Sequence, residues 1–537
     1  MAEAQIPREP ARQAGHGSYR AGFAFGILSF LAVLGFGLVS TIATARIYGV
    51  QVIGQFALAS APVAALWVLS TVTEQAALIR EITSLPPRHP RITQLFAAVF
   101  TFSAALTAAM AALAGLICAA LLRGPLHAPA LVAPMIAGLA GYALVTNAGW
   151  NLDSILSAFV AGRQLFWVRL HETLAFVVLA VSVGALWRSV WGLVAATIGA
   201  SASALVHRVL AVRPFIDAGL DGPGYRQGLR ALPGLLRFGL KITPGAIAQG
   251  LSQQAGVWAI GSTAPVALVG AYSRAQTIPD RLQQVNFRIV EVLYPTLVSR
   301  RARGDGEGFD RALLDTVRYA LGGMLLIAAV GGGAASSVLE LLGAGFALAA
   351  PAFPLLIAYP ALVTVASAQN QALWSVDRAA LTSVTALGRL AVTLSLTVAL
   401  TPTLGLAGPA LALVAGLALD IFCKAVALRP FLSRPASDRW PLLERAALVL
   451  AYGYGFAAAR ATELAFGSPL RLFAALAAGA VAYLVALFAL GGVNERDRER
   501  LGDVARRLPA WLRVPRRVRL AVFGAAAGAG PALGRQR

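Results

Sequence analysis

Apolar runs of about 20 residues recur from one end of this chain to the other, each long enough to cross a hydrocarbon core of roughly 30 Å. Short polar connections, most of them carrying arginine, separate the runs. In lipid every backbone N–H and C=O must be satisfied internally, and runs this long and rich in Ala, Leu and Gly predict helices, not barrel strands. The pattern predicts fourteen spans, near 22–45, 53–79, 92–122, 130–158, 168–187, 190–212, 234–260, 265–298, 314–338, 348–372, 379–400, 404–429, 441–463 and 469–492. The expected fold is an all-α integral membrane bundle. Its parts are a cytoplasmic segment 1–21, a six-helix lobe 22–212, a cytoplasmic linker 213–233 and a second six-helix lobe 234–430. Two final helices, 441–492, and a basic cytoplasmic tail, 493–537, complete it.

Composition agrees: 58% of the 537 residues are hydrophobic, 13% are charged, and the mean hydropathy is +0.71. That is too few charges to clothe a soluble core of this size. A net charge of +21 suggests nucleic acid until its placement is read. With the N-terminus inside, 36 of the 45 basic residues fall in cytoplasmic segments. Five lie in outside connections (Arg46, Arg123, Arg188, Arg460, Arg471) and four within spans (Arg274, Arg281, Arg288, Arg389). A missed or invented helix would flip every later loop, so this alternation supports an even count with both ends inside. The charge reports topology, and no nucleic-acid partner is expected. The polar start followed by a run without a small-residue cleavage site reads as a retained span. Cys118 and Cys423 lie in separate apolar runs and imply no disulfide or metal framework.

The outside connections are all short. Membrane enzymes that act on glycans at the outer face usually carry a sizeable loop or a carboxylate cluster there, and neither is present. The two halves share a faint echo: Ile47-Tyr48-Gly49 leads to Gly54-Gln55-Phe56-Ala57-Leu58, and Ile260-Gly261 leads to Gly270-Ala271-Tyr272-Ser273. Two halves of six spans in one orientation suit a parallel repeat about the membrane normal. Beyond Glu495, Leu501, Val504, Leu508 and Trp511 at helical spacing predict a basic amphipathic segment on anionic lipid.

An ionisable group at bilayer depth is costly unless it meets a partner or a wet cavity, so such groups mark function. In the eighth span Arg274, Arg281 and Arg288 recur every seven residues, an advance of about 700° that returns to one helix face. Thr277, Gln284 and Glu291 continue that stripe; Asp280 and Asn286 lie off it, and Pro279 should bend the span. Two readings fit: a cationic wall drawing an anionic substrate into a central aqueous cavity, or an interfacial segment with its arginines in water. In the seventh span Gln249 and Gln253, one turn apart, suit either sugar hydroxyls or interhelical hydrogen bonds. Arg46 ends the first span, as a cavity residue or a snorkelling one. Glu74, deep in the second span, and Glu291 are the candidates for ion or proton coupling. Asn147, Asn151, Asp153 and Ser154 read as capping or packing, His171 and Glu172 as interfacial, and Asp420 with Lys424 as an i,i+4 pair. There is no nucleotide-binding loop, no metal-ligand spacing among the five histidines and no nucleophile–base pairing, so neither cofactor nor catalysis is expected.

Several stretches, in order, resemble a known family. They are Ala45-Arg46-Ile47-Tyr48-Gly49 with Gly54-Gln55-Phe56-Ala57-Leu58, then Val269-Gly270-Ala271-Tyr272-Ser273-Arg274-Ala275. Tyr294-Pro295-Thr296-Leu297 with Arg301-Ala302-Arg303-Gly304-Asp305, Leu341-Leu342-Gly343-Ala344-Gly345-Phe346 and Gly405-Leu406-Ala407-Gly408-Pro409-Ala410 follow. Over about residues 20–490 the chain resembles the polysaccharide exporters of the multidrug/oligosaccharidyl-lipid/polysaccharide flippase superfamily. The resemblance implies two lobes about a cavity open alternately to either side, lined by helices one, two, seven and eight. Arg46 and Arg274 would match arginines that bind the pyrophosphate of a polyprenyl-linked glycan; Arg281 and Arg288 rest on the stripe. The short turn at Arg123 and the long basic tail depart from the pattern. Function expected is a flippase for lipid-linked oligosaccharide in the bacterial inner membrane, with membrane lipids and polysaccharide polymerase or assembly proteins as partners. The competing readings are a cation-coupled drug antiporter, and a membrane enzyme or scaffold of envelope glycan synthesis.

Overall fold

The structure, a computed structural model, describes residues 19–493 apart from 72–73, 84, 160, 218, 220–221, 434–439 and 468–469. Side chains of 19–34 and 284–292, and of single positions including Glu74 and Lys241, lie outside the description, as do residues 1–18 and the basic tail. Every regular element among the described residues is helical.

The first helix, α1 (Tyr19–Leu69), is interrupted at Gly49, where φ is +71°. That left-handed value costs an L side chain energy and costs glycine none, so the chain turns on one residue. It is followed by α2 (Glu74–Ile82), α3 (Pro90–Arg123), α4 (Val132–Gly141) and α5 (Asn147–Ala158), the last two joined through a π-helical turn at Tyr142–Thr146. α6 (Gly162–Leu186) and α7 (Val190–Val212) complete a first group packed mainly on itself. The second group comprises α8 (Gly222–Thr263), α9 (Val266–Ala302), α10 (Gly306–Gly333), the short α11 (Ala335–Glu340), α12 (Phe353–Ser375), α13 (Ala379–Leu404) and α14 (Ala407–Leu428). α15 (Leu442–Ala465) and α16 (Arg471–Ala489) form a hairpin on α10, where Tyr483 donates to the Gly322 carbonyl at 2.7 Å.

Ten helical segments among the described residues are long and apolar enough to cross a membrane, which makes the protein a multi-pass membrane protein. The expected fourteen is not reproduced by this measure, for a physical reason. Gly35–Leu69 counts once although it holds two arms, and α8, α9 and α12 do not qualify. α8 and α9 carry the arginines and glutamines singled out above. Polar residues lower the hydropathy of just those helices that face the interior.

The two groups meet through glycine. A Cβ on Gly54 would fall 2.0 Å from the Val266 carbonyl oxygen, and one on Gly270 would fall 2.0 Å from that of Val50. Each glycine thus sits on the backbone four residues before the other, so the sequence echo is a reciprocal contact between the lobes. From this end the first arm of α1 descends beside α9, with Gly37 reaching Arg281, while the second arm descends beside α8. There Leu58 lies against Gly261 and Val68 against Gly250. At the opposite end a Cβ on Gly228 would lie 2.1 Å from the Gln94 carbonyl oxygen, so α8 and α3 also touch backbone to backbone. These positions leave no room for a side chain. A Cβ on Gly345 would lie 3.4 Å from the Val50 Cβ, within disulfide range. In a background lacking the native cysteines, Val50→Cys with Gly345→Cys should therefore cross-link readily. Adding Gly270→Leu should lower the yield by about tenfold or more, equivalent to ~1.4 kcal/mol.

Candidate functional site

α9 runs unbroken through Pro279 and Pro295 and shows two unlike faces. On one, Tyr272 is fully buried against α8, where a Cβ on Gly256 would fall 2.7 Å from its hydroxyl. On the other lie Arg274 and Arg281, both half-buried. Arg281 fills the space left by Gly37 on α1: a Cβ there would be 3.4 Å from the guanidinium Nε and 3.5 Å from Cζ. Arg281 follows Gly270 by eleven residues, so it stands roughly 16 Å below the glycine contact at 1.5 Å per residue. In a core of roughly 30 Å that is near mid-depth.

The electrostatics there are unbalanced. The Arg274 Nε is shielded from solvent without a hydrogen-bond partner, and the charge that acts on Arg274 is the like charge of Arg281. Leaving a buried donor unpaired costs about 1–3 kcal/mol, more for a charged group. Asp280 is the carboxylate that acts on Arg281, and it accepts from Gln283 Nε2 at 3.0 Å. Among the described residues, one carboxylate against two guanidiniums leaves a positive excess. Asp280 is also solvent-exposed, while its field reaches the buried Tyr272 and Tyr359. Asp280 therefore links the arginine pair electrostatically to Tyr272 and Tyr359.

Beside the pair the second lobe holds a polar network. The Gln253 carbonyl accepts from Gln276 Nε2 at 3.1 Å, and its side chain bonds the Tyr359 hydroxyl. Arg389 on α13 donates to the same hydroxyl and also lies over the Tyr359 ring, 5.7 Å from its centroid. Lys424 and Asp420 pair at 2.6 Å, both almost fully buried. Gln253 is thus engaged between helices, the second of its two sequence readings. Gln249, one turn earlier and half-buried, sits at the lobe boundary beside Gly250.

Arg46 does not join the arginines of α9. It is exposed, and its Nε donates across the lobes to the Leu341 carbonyl at 2.9 Å, on the rim near the glycine contact. Glu74 is not deep in the second arm, which ends at Leu69; it opens the separate helix α2, and its side chain lies outside the described residues. Arg288 and Glu291 continue α9, with side chains likewise outside the description.

Sequence reading missed a cluster in the first lobe. Arg208, placed there in a cytoplasmic connection, is 4% exposed within α7. Its Nε meets Asp153 of α5 at 2.9 Å and its second terminal nitrogen meets Glu172 of α6 at 2.7 Å. The available signal was that all three charges fall inside long apolar helices, where none can stand unpaired.

Residues 43–320, just over half of the sequence, match a family model described as polysaccharide biosynthesis protein. The chain belongs to that family. The matched region takes in α1 through α9, including Arg46, Arg274 and Arg281. The fold is similar to a solved structure of the lipid II flippase MurJ in an inward closed conformation. The TM-score is 0.64 at 11% identity, over 87% of this chain and 99% of that one. It is also similar to an inward-facing multidrug resistance transporter of the MATE family in the MOP superfamily. There the TM-score is 0.51 at 15% identity, over 76% of this chain and 95% of that one. At these identities the likeness establishes the fold alone, a helical membrane bundle like that of these two transporters. No curated protein sequence shows significant similarity to the chain.

Two substitutions separate structural from functional charge. Arg208→Gln strips both carboxylates of their cation and should cost about 3–5 kcal/mol, seen as a lowered Tm in detergent. Arg281→Gln removes an unbalanced cation and should leave Tm unchanged or raise it.

Proposed function

We propose that this member of the polysaccharide biosynthesis family is a flippase. Its substrate is a polyprenyl-pyrophosphate-linked oligosaccharide, moved from the cytoplasmic to the periplasmic leaflet of the bacterial inner membrane, with both chain termini in the cytoplasm. The observation that carries this reading is the pair Arg274 and Arg281, held near mid-depth between the lobes with fewer carboxylates than cations among the described residues. A pyrophosphate supplies the missing anion and several acceptor oxygens, and charge-assisted hydrogen bonds of this kind are the strong ones. Arg288 extends the same face on the sequence. Gln249 at the lobe boundary is positioned for glycan hydroxyls, while Gln253 shapes the wall through Tyr359. Arg46 serves as a latch on the rim, and Glu74 and Glu291 remain the coupling candidates of the α2 and α9 segments.

The lobes alternate by parting at the Gly54–Gly270 contact on one side or the Gly228–Gln94 contact on the other, while the arginines stay between them. The polyprenyl tail stays in lipid, and polymerase or assembly proteins receive the product. A cation-coupled antiporter of cationic drugs would need an acidic wall, which the arginine pair opposes. Nothing in the site arranges a nucleophile and base, so a membrane enzyme is the weaker reading.

The test is reconstitution in vesicles with fluorescent lipid-linked glycan. Wild-type protein should move label to the far leaflet; Arg274→Glu or Arg281→Glu should cut the rate at least tenfold, about 1.4 kcal/mol of lost anion stabilisation. Arg281→Lys should retain part of the rate. Wild-type rates in both charge-reversed variants would overturn the assignment, and drug movement without glycan movement would favour the antiporter.

A further inference from the structure

The first-lobe cluster contains more than its salt bridges. His171 and Glu172 are consecutive on α6, and His207 and Arg208 are consecutive on α7. The two imidazoles face each other with Nδ1 to Nδ1 at 3.1 Å. At that separation one nitrogen donates and the other accepts, so a single proton lies between them. A second added proton would put two N–H groups head to head. The pair therefore holds a charge of zero or one, never two.

Its surroundings select between those values. Asp153 of α5 and Glu172 of α6 bring two negative charges and Arg208 one positive charge, in a cluster whose Arg208 and Asp153 are nearly fully buried. Ser201 also donates to Glu172, at 3.4 Å. The remaining charges facing the pair are Arg169, whose field reaches Asp153, and Arg163 at the mouth of a cavity. Both are exposed and hence screened by water. The buried triad alone is therefore one negative charge in excess, and one proton on the imidazole pair makes the whole cluster neutral. His207 borders an open depression at the surface of the lobe. This cavity of about 640 Å³ is lined also by Arg163, Gln164, Trp167, Leu210 and Ala211, of which Arg163, Trp167 and Leu210 are exposed.

We propose that His171 and His207 form a one-proton binding site in the first lobe. Proton loss leaves a buried negative charge that the Asp153–Arg208–Glu172 clamp must accommodate. Because that clamp ties α5, α6 and α7 together, occupancy of the site biases the packing of the first lobe. Where the chain is read as a flippase, this is a point, besides Glu74 and Glu291, at which a proton gradient acts.

The first measurement is independent of transport. Histidine-selective NMR of the full chain in phospholipid nanodiscs counts protons taken up between about pH 8 and 5, the range in which imidazoles titrate. The sequence holds five histidines, three besides the pair, and each of those three is counted as one independent proton. Wild type should take up four protons, His207→Gln and His171→Gln also four, and the double variant three. Five in wild type, falling to four in each single variant, would show two independent sites and overturn the proposal. So would three in wild type. In vesicles the double variant should keep basal glycan movement and lose its acceleration by an imposed pH gradient. An unchanged gradient response would sink the coupling, and absence of glycan movement in wild type would sink the flippase reading while the proton count stands.

Discussion

A guanidinium or ammonium at bilayer depth must meet an anion, a dipole or water, and the helices here are sorted by how they meet that demand. Arg208 meets it with two carboxylates drawn from neighbouring helices of its own lobe. Lys424 meets it with Asp420 one turn away, and Arg389 with the hydroxyl and ring of Tyr359. Each of these is settled inside one lobe, and removing either partner would strand a charge. They hold the lobes as separate bodies. Arg274 and Arg281 stand where the lobes face each other, Arg281 against Gly37, and among the described residues Asp280 is the carboxylate that acts on Arg281. The same rule that explains the structural cations therefore isolates the pair suited to a ligand.

The glycine contacts give this boundary its mechanical character. Interlocked side chains would resist separation gradually, whereas a backbone-on-backbone contact is short in range and is lost once the helices part by a fraction of an ångström. Gly54 and Gly270 provide that contact at one end and Gly228 at the other. The polar tie across the same rim, Arg46 to the Leu341 carbonyl, is exposed, so water replaces it at little cost when the lobes part. Packing of this kind can be strong when closed and yet separable.

Class and architecture were legible in the sequence because hydropathy and basic-residue placement are properties of whole segments. The glycine echo was legible too, although its meaning as a reciprocal contact needed both halves in space. The Asp420–Lys424 pair was readable from i,i+4 spacing, and the buried pair was found. What spacing could not supply was partnership between helices distant in sequence. Arg208 looked cytoplasmic because it lies one turn from the end of an apolar run, and its partners lie 55 and 36 residues away. Gln253 suited a sugar or a helix equally until Tyr359 was placed beside it. Glu74 was misplaced because the apolar residues on either side, up to Leu69 and again from Ala76, were read as one span, whereas the helix stops at Leu69 and α2 begins at Glu74.

The lobes also differ in which of their buried charges can change. In the second, Asp420 pairs with Lys424, and Arg389 with the hydroxyl and ring of Tyr359. In the first, the proposed one-proton site is the imidazole pair, His171 Nδ1 facing His207 Nδ1 at 3.1 Å. The connection from there to the arginines is short. Nine residues along α6 from His171, the Ala180 carbonyl accepts from the Tyr48 hydroxyl at 3.0 Å. Tyr48 ends the first arm of α1, next to the Gly49 turn, and eleven residues earlier the same arm presents Gly37 to Arg281. A shift of α6 against α7 therefore bears on the one helix that both forms the closed end and confines the mid-depth cation. With rigid helices between them, a change of a single charge in the first lobe has a mechanical lever on the site between the lobes.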